Sequence, residues 1–120
     1  MSIVEITKAL ADETRLRILN LLHKEALCVC DLEAILNLSQ SNASRHVTKL
    51  KTARIITGEK QAQWIYYRVD NQILERYTFL RELLEKELKQ AFQYQKDLDR
   101  LRTYRERGGS CENNIRILDE

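Results

Sequence analysis

Cys28-Val29-Cys30-Asp31-Leu32-Glu33-Ala34-Ile35-Leu36-Asn37-Leu38-Ser39-Gln40-Ser41-Asn42-Ala43-Ser44-Arg45-His46-Val47-Thr48-Lys49-Leu50 is the stretch that decides the fold. Leu32, Ile35 and Leu36 recur at helical spacing, which predicts a short helix from about Cys28 to Leu36. Asn37-Leu38 interrupts it, and Ser39 is placed to cap a second helix running to about Thr52. The second helix opens on small polar residues and turns its apolar positions, Val47 and Leu50, to the other side. Two short helices joined by a tight turn, the second polar at its start, form a helix-turn-helix. A helix that enters a DNA groove needs donors and acceptors in its first turns and no bulky apolar groups there. Ser39, Gln40, Ser41, Asn42, Ser44, Arg45, His46 and Lys49 are therefore the candidate DNA-facing residues.

Upstream, Ile3, Ile6 and Leu10 predict a first helix, and Asp12 caps a second that buries Leu16, Ile18, Leu19, Leu21 and Leu22 and ends near His23-Lys24. Arg15 and Arg17 on that helix are open to two readings, phosphate contact or ordinary solvation. Downstream, residues 55–60 and 63–69 are rich in β-branched and aromatic side chains and predict a hairpin. Its link lacks Asn-Gly or Asp-Gly, so a loose tip is expected. A hairpin after a helix-turn-helix is a wing, which carries Lys60 and Gln61 toward DNA, while Trp64 and Tyr66 are expected to be core. From Asn71 to Arg107 one helical rhythm continues through Ile73, Leu74, Tyr77, Leu80, Leu84, Leu88 and Leu101, and Gly108-Gly109 ends it. A helix of about 35 residues is about 50 Å long, more than one small domain can cover, so a second copy of the chain is expected along it.

These elements predict a mainly α fold with a small β-hairpin, a winged helix-turn-helix that dimerises through the first and the long last helices. The expected division is 1–85 for DNA binding and sensing, 86–107 for an extension of the last helix that dimerises, and 108–120 for a flexible tail.

Charge follows the same division. Residues 1–38 hold four Lys/Arg against six Asp/Glu, residues 39–68 hold six against one, and residues 69–120 hold ten against eleven. The basic middle third is where a nucleic-acid surface is expected. No apolar run reaches the length of a membrane span and the start lacks a signal-peptide pattern, so the expected location is the cytoplasm, with no membrane partner. In that compartment three cysteines are not expected to form a disulfide framework. No Gly-rich phosphate loop or nucleophile–base arrangement is present, which argues against an enzyme.

Taken together, Ala9–Leu19, Leu27-Cys28-Val29-Cys30-Asp31-Leu32, Leu38–His46 and Trp64-Ile65-Tyr66-Tyr67-Arg68 resemble the ArsR/SmtB family of metal-sensing repressors over about residues 5–85. The resemblance implies a homodimeric repressor that holds double-stranded operator DNA and releases it when an inducer binds. The Cys-Val-Cys word is similar to the family's arsenical box, which implies As(III) or Sb(III) as inducer and no permanent cofactor. Some such boxes carry a third cysteine where this chain has Glu33, and residues 71–107 lack the His that zinc and cobalt sensors place on the last helix.

The expected metal ligands are therefore Cys28, Cys30 and, as third thiol, Cys111. Cys111 stays open between a ligand, from either subunit, and an incidental tail thiol. Two-thiol binding favours an arsenical with one carbon substituent. Residues i and i+2 point about 200° apart on a helix, so Cys28 and Cys30 hold one atom only if the pair begins outside the helix or the first turn unwinds. A helix N-terminus is expected to lower their pKa. The alternative within the same fold is a thiol-based redox or sulfur sensor, in which either cysteine pairs with Cys111.

Overall fold

A computed structural model describes residues 2–115. Four helices come first: α1 (Ile3–Leu10), α2 (Glu13–Lys24), α3 (Val29–Leu36) and α4 (Gln40–Thr52). Ser2, Asp12 and Ser39 cap α1, α2 and α4, each side chain accepting a backbone N–H from the first turn. Asn37 ends α3 in a left-handed conformation (φ 55°) and turns the chain into α4. Helix α2 is the centre of the core: Ile18, Leu19, Leu21 and Leu22 are all buried, and it meets α1, α4, the hairpin and the last helix.

The hairpin is antiparallel, β1 (Ile56–Gln61) against β2 (Trp64–Val69), with Gln61 opposite Trp64. Its tip is tighter than expected, a two-residue link in which Ala62 takes a positive φ of 56°. Gly58 faces Tyr67, and a Cβ there would lie 2.8 Å from the Tyr67 ring. Tyr67 also exchanges both backbone hydrogen bonds with Leu27 (3.0 and 2.8 Å), which ties the root of the wing to the residue before Cys28. Trp64 and Tyr66 are half-buried, while Tyr67 is buried.

The long last helix is not continuous, and this corrects the expected extension over 86–107. The chain runs through α5 (Asn71–Arg76), α6 (Thr78–Glu82), a π-helical turn (Leu83–Glu87) and a tight 3-10 turn (Leu88–Gln90). It then breaks at Ala91, whose backbone is extended, and returns as α7 (Phe92–Glu106). Neither Gly nor Pro marks the break. It follows from what α7 finds on its own subunit. Arg17 donates to both oxygens of the buried Asp97 (2.8 and 2.9 Å), the Asn20 amide donates to the Tyr94 carbonyl (3.0 Å), and Arg105 donates to Glu25 (3.0 Å). Arg17 is thus a fold contact. Helix α7 packs on α2 and α3 and buries Leu101 and Tyr104 there, so it is not a free arm waiting for a second copy.

The tail is also corrected in part. Residues 108–115 turn back over α7: Gly108 takes φ 80°, and Gly109 donates to the Tyr104 carbonyl (2.8 Å). Residues 116–120, the rest of the expected flexible tail, lie outside the described residues. A Cβ on Gly109 would lie 2.5 Å from the Tyr104 ring, so no larger residue fits without moving that ring. Gly109→Ala is therefore expected to lower unfolding free energy by about 1–3 kcal/mol, the usual range for overpacking, measured by urea titration.

Candidate functional site

Cys28 does not lie inside α3. It is the N-cap, with extended backbone (φ −90°, ψ 170°), and the helix begins at Val29. The pair therefore straddles the helix boundary, which removes the 200° divergence of two positions in one helix. Gly108 and Gly109 fold the tail back so that Cys111 reaches the same place from the other end of the chain. The Sγ atoms of Cys28, Cys30 and Cys111 all lie within 4.8 Å of one another. Cys28 and Cys111 are joined as a disulfide, with Cys30 outside the bond. Cys28 and Cys111 are buried and Cys30 is half-buried.

The polar surroundings of the sulfurs are provided by Asp31, which is fully buried. Its Oδ2 accepts from the Cys28 backbone N–H (3.1 Å), closing half of a capping box on α3, and lies 3.3 Å from Cys28 Sγ. Its Oδ1 accepts from the Tyr104 hydroxyl at 2.6 Å, and the Arg105 guanidinium stands 3.6 Å from Oδ2. Asn114 closes the site by donating to the Cys30 carbonyl (2.8 Å) and to the Tyr104 oxygen (3.3 Å). Burial first, then the Asp31 carboxylate as acceptor, pushes the Tyr104 phenol well above its ordinary pKa. The Cys30 thiol is also pushed up, by burial first and then by the charges of Glu33 and Asp31. The expected lowering by the helix N-terminus is thus overturned for Cys30, since burial and two carboxylates outweigh the dipole.

Helix α3 is held at its other end too: Arg100 Nε donates to the Ile35 carbonyl at 2.7 Å. Tyr104 and Arg100 lie one turn apart on α7, so α7 grips both ends of the helix that precedes the reading helix. Asp31, Tyr104 and Asn114 escaped the sequence reading. The one local signal was a carboxylate three residues after the capping position; their meeting depends on contacts across 73 and 84 residues.

On α4 and the wing, Ser39, Gln40, Ser41, Asn42, Ser44, Arg45, Lys49, Lys60 and Gln61 are all exposed. His46 is a correction: at 5% exposure it cannot meet a base edge. It stands behind Arg45, whose guanidinium lies 3.3 Å from His46 Nε2 and donates to the Asn42 side-chain Oδ1 at 3.4 Å. Nδ1 of the same ring lies 3.3 Å from Arg15 and 3.9 Å from Asp12. Arg15 is buried and donates to the carbonyls of Ala9 (2.6 Å) and Lys8 (3.3 Å), so it closes the end of α1 rather than reaching solvent.

Burial is the largest influence on His46 and lowers its pKa. Asp12 opposes this, while Arg45, Arg15 and Lys49 reinforce it. His23 is lowered likewise, by burial first, against Glu85 and with Lys89 and Arg81. The unfolded chain therefore takes up these protons first, and stability is expected to fall as pH drops below 6.5, levelling below the folded values. Urea midpoints at pH 7.5 and 5.5 measure this, and the difference is expected to shrink in His46→Gln.

The description "Bacterial regulatory protein, arsR family" matches residues 12–57. The chain is 42% identical over 69 residues to the arsenic resistance transcriptional regulator ArsR1 of Pseudomonas putida, covering 57% of this chain and 54% of that relative's length. It is 33% identical over 99 residues to a cadmium resistance transcriptional regulatory protein CadC homolog of Staphylococcus aureus, covering 82% and 74%. Among solved structures, HlyU from Vibrio cholerae is 33% identical with a TM-score of 0.58, over 68% of this chain and 89% of that one. The homodimeric winged helix-turn-helix domain Mb0332 of Mycobacterium bovis shares the fold at a TM-score of 0.61 and 21% identity, over 75% and 84%.

Proposed function

Since this chain belongs to the arsR family of bacterial regulatory proteins, we propose that it is a homodimeric, cytoplasmic transcriptional repressor that leaves its operator when trivalent arsenic or antimony binds Cys28, Cys30 and Cys111. The observation that carries this reading is the convergence of three sulfurs within 4.8 Å, one of them from the far end of the chain. The donor set suits the ligand: three soft sulfurs, two of them buried, match a soft trivalent centre better than a hard cation. Once a thiol or phosphine reductant has opened the Cys28–Cys111 bond with two electrons and two protons, arsenous acid exchanges three As–O bonds for three As–S bonds. Each thiol proton leaves with a hydroxide as water, and no electron is transferred in the exchange. Three sulfurs from one subunit also make a carbon substituent on arsenic unnecessary.

Operator contact falls to the exposed donors of α4, namely Ser39, Gln40, Ser41, Asn42, Ser44, Arg45 and Lys49, with Lys60 and Gln61 on the wing. His46 sits behind them as a support for Arg45. The dimer face falls to α1 and α6, where Ile3, Val4 and Phe79 stay 41–55% exposed on a single subunit.

The Cys28–Cys111 disulfide supports a second reading, a thiol redox repressor. A peroxide oxidises the two thiols to the disulfide and is itself reduced to an alcohol and water. One experiment separates the two. A duplex selected by the protein from a random library is titrated by fluorescence anisotropy with TCEP present throughout. Arsenite and antimonite are expected to raise Kd by about tenfold or more, the scale of a coupling of 1–3 kcal/mol, and Cys111→Ser to lose most of that response. A flat response to both, with release by peroxide in the absence of TCEP, overturns the metalloid reading in favour of the redox one. An undiminished response in Cys111→Ser removes Cys111 from the ligand set.

A further inference from the structure

We propose that Cys30 is the nucleophile through which a small thiol in solution opens the buried Cys28–Cys111 bond and returns the repressor to its reduced form. The proposal deepens the redox reading above and rests on the bond that reading uses.

The three sulfurs divide by access. Cys28 is 2% exposed and Cys111 8%, while Cys30 is half-buried and carries the free thiol. In thiol–disulfide exchange a thiolate attacks one sulfur of the bond and displaces the other, so the attacker must reach a bonded sulfur. From solvent that approach is obstructed on both sides. Beside Cys28, an Asp31 carboxylate oxygen lies 3.3 Å from the sulfur, so an incoming thiolate meets a carboxylate. Beside Cys111, the tail is tied down. Arg105 donates to the Gly109 carbonyl (3.0 Å), the Asn113 amide to the Gly108 carbonyl (3.0 Å), and the Asn114 amide to the Cys30 carbonyl (2.8 Å). The Cys30 sulfur is already inside, within 4.8 Å of both bonded sulfurs.

Cys30 gives its proton to solvent and attacks the Cys111 sulfur. A Cys30–Cys111 bond forms, the Cys28–Cys111 bond breaks, and Cys28 leaves as a thiolate that takes up a proton. Attack on Cys28 would instead close a ring between residues two apart, a poor geometry for a disulfide. This first step spends no reductant, since the bond only moves. It now ends on the half-buried sulfur. A small monothiol attacks Cys30 and releases Cys111, and a second monothiol attacks the non-protein sulfur of the mixed disulfide and releases Cys30. In sum, two monothiols become one disulfide and the protein gains two electrons and two protons. The upward push on the Cys30 pKa leaves less thiolate but makes each thiolate a stronger nucleophile. These effects partly offset, so nearness rather than acidity sets the rate.

Reduction kinetics test this. Wild type, Cys30→Ser and Cys30→Ala are oxidised with peroxide, and the bond is mapped by mass spectrometry. Reduced glutathione is then added without oxygen. Samples are blocked with N-ethylmaleimide over time and weighed intact, while duplex binding is followed by anisotropy. The bond is expected to open about tenfold or more slowly in both variants. Wild type is expected to carry a transient glutathione adduct on Cys30 and to regain duplex affinity in step with its thiols. A substitution that merely loosened the tail would speed reduction, so the direction separates this role from a structural one. The adduct position in wild type stands as the test if neither variant folds. Wild-type rates in the folded variants, or an adduct formed first on Cys28 or Cys111, overturn the role of Cys30 alone. Absence of a Cys28–Cys111 bond in the oxidised wild type overturns the redox reading and this proposal with it. A bond that opens without any change in duplex affinity overturns the redox reading and leaves Cys30 only its part in the exchange.

Discussion

A buried carboxylate without donors costs several kcal/mol, and the fold of this chain is arranged so that Asp31 is not left in that state. Its partners come from three places: the backbone just before α3, a tyrosine 73 residues away on α7, and the arginine next to that tyrosine. To bring them together, the chain must break its last helix, reverse at Ala91 and lay α7 along α3. Gly109 then follows, because only a residue without Cβ fits against the Tyr104 ring, and so does Cys111, two residues further on. The thiol cluster is in this sense a product of how Asp31 is satisfied. The sulfur of Cys28 lies in the same shell as the oxygens that hold the fold.

The first 69 residues were legible because their information is local. Caps at Asp12 and Ser39, the interruption at Asn37-Leu38 and the apolar spacing of α1 to α4 are all encoded within a few residues of where they act. The break at Ala91 has no such signal. Residues 78–106 continue a helical rhythm without Gly or Pro, and what divides them is the pull of partners about 80 residues upstream, Arg17 on Asp97 and Asn20 on the Tyr94 backbone. The π-helical turn at Leu83–Glu87 absorbs an extra residue just ahead of the reversal. Cys28 and Cys30 could be recognised from the sequence as a pair, and Cys111 as a third thiol, but nothing in the spacing of 83 residues shows whether they meet.

The DNA-facing surface divides in a similar way. Its polar residues on the first turns of α4 are exposed, as their composition leads one to expect. His46 is not, because its burial depends on Arg15 rather than on its own neighbours. Arg15 closes α1 with its Nε and meets the imidazole with the same guanidinium. A neutral imidazole has one acceptor nitrogen and two guanidinium groups beside it, so it accepts from one at a time. This links the aim of Arg45 to the packing of α1 on α2.

The position of the third thiol decides how much of the chain the thiol cluster ties together. A cysteine at position 33 would have completed the site within the first turns of α3, and closing it would have spanned only residues 28 to 33. With Glu33 there and Cys111 in its place, closing the site spans residues 28 to 111, which enclose α3, α4, the hairpin and all of α5 to α7. Closing a loop of this length restricts the chain far more than closing a local turn, on the order of 4 kcal/mol for a covalent link in the chain-entropy view. In that view the effect falls on the unfolded chain, so a link between Cys28 and Cys111 stabilises the folded arrangement in which α7 lies against α3. A local box ties together residues of α3 alone, whereas a cluster that includes Cys111 also ties the tail to the start of α3, whose two ends α7 already holds.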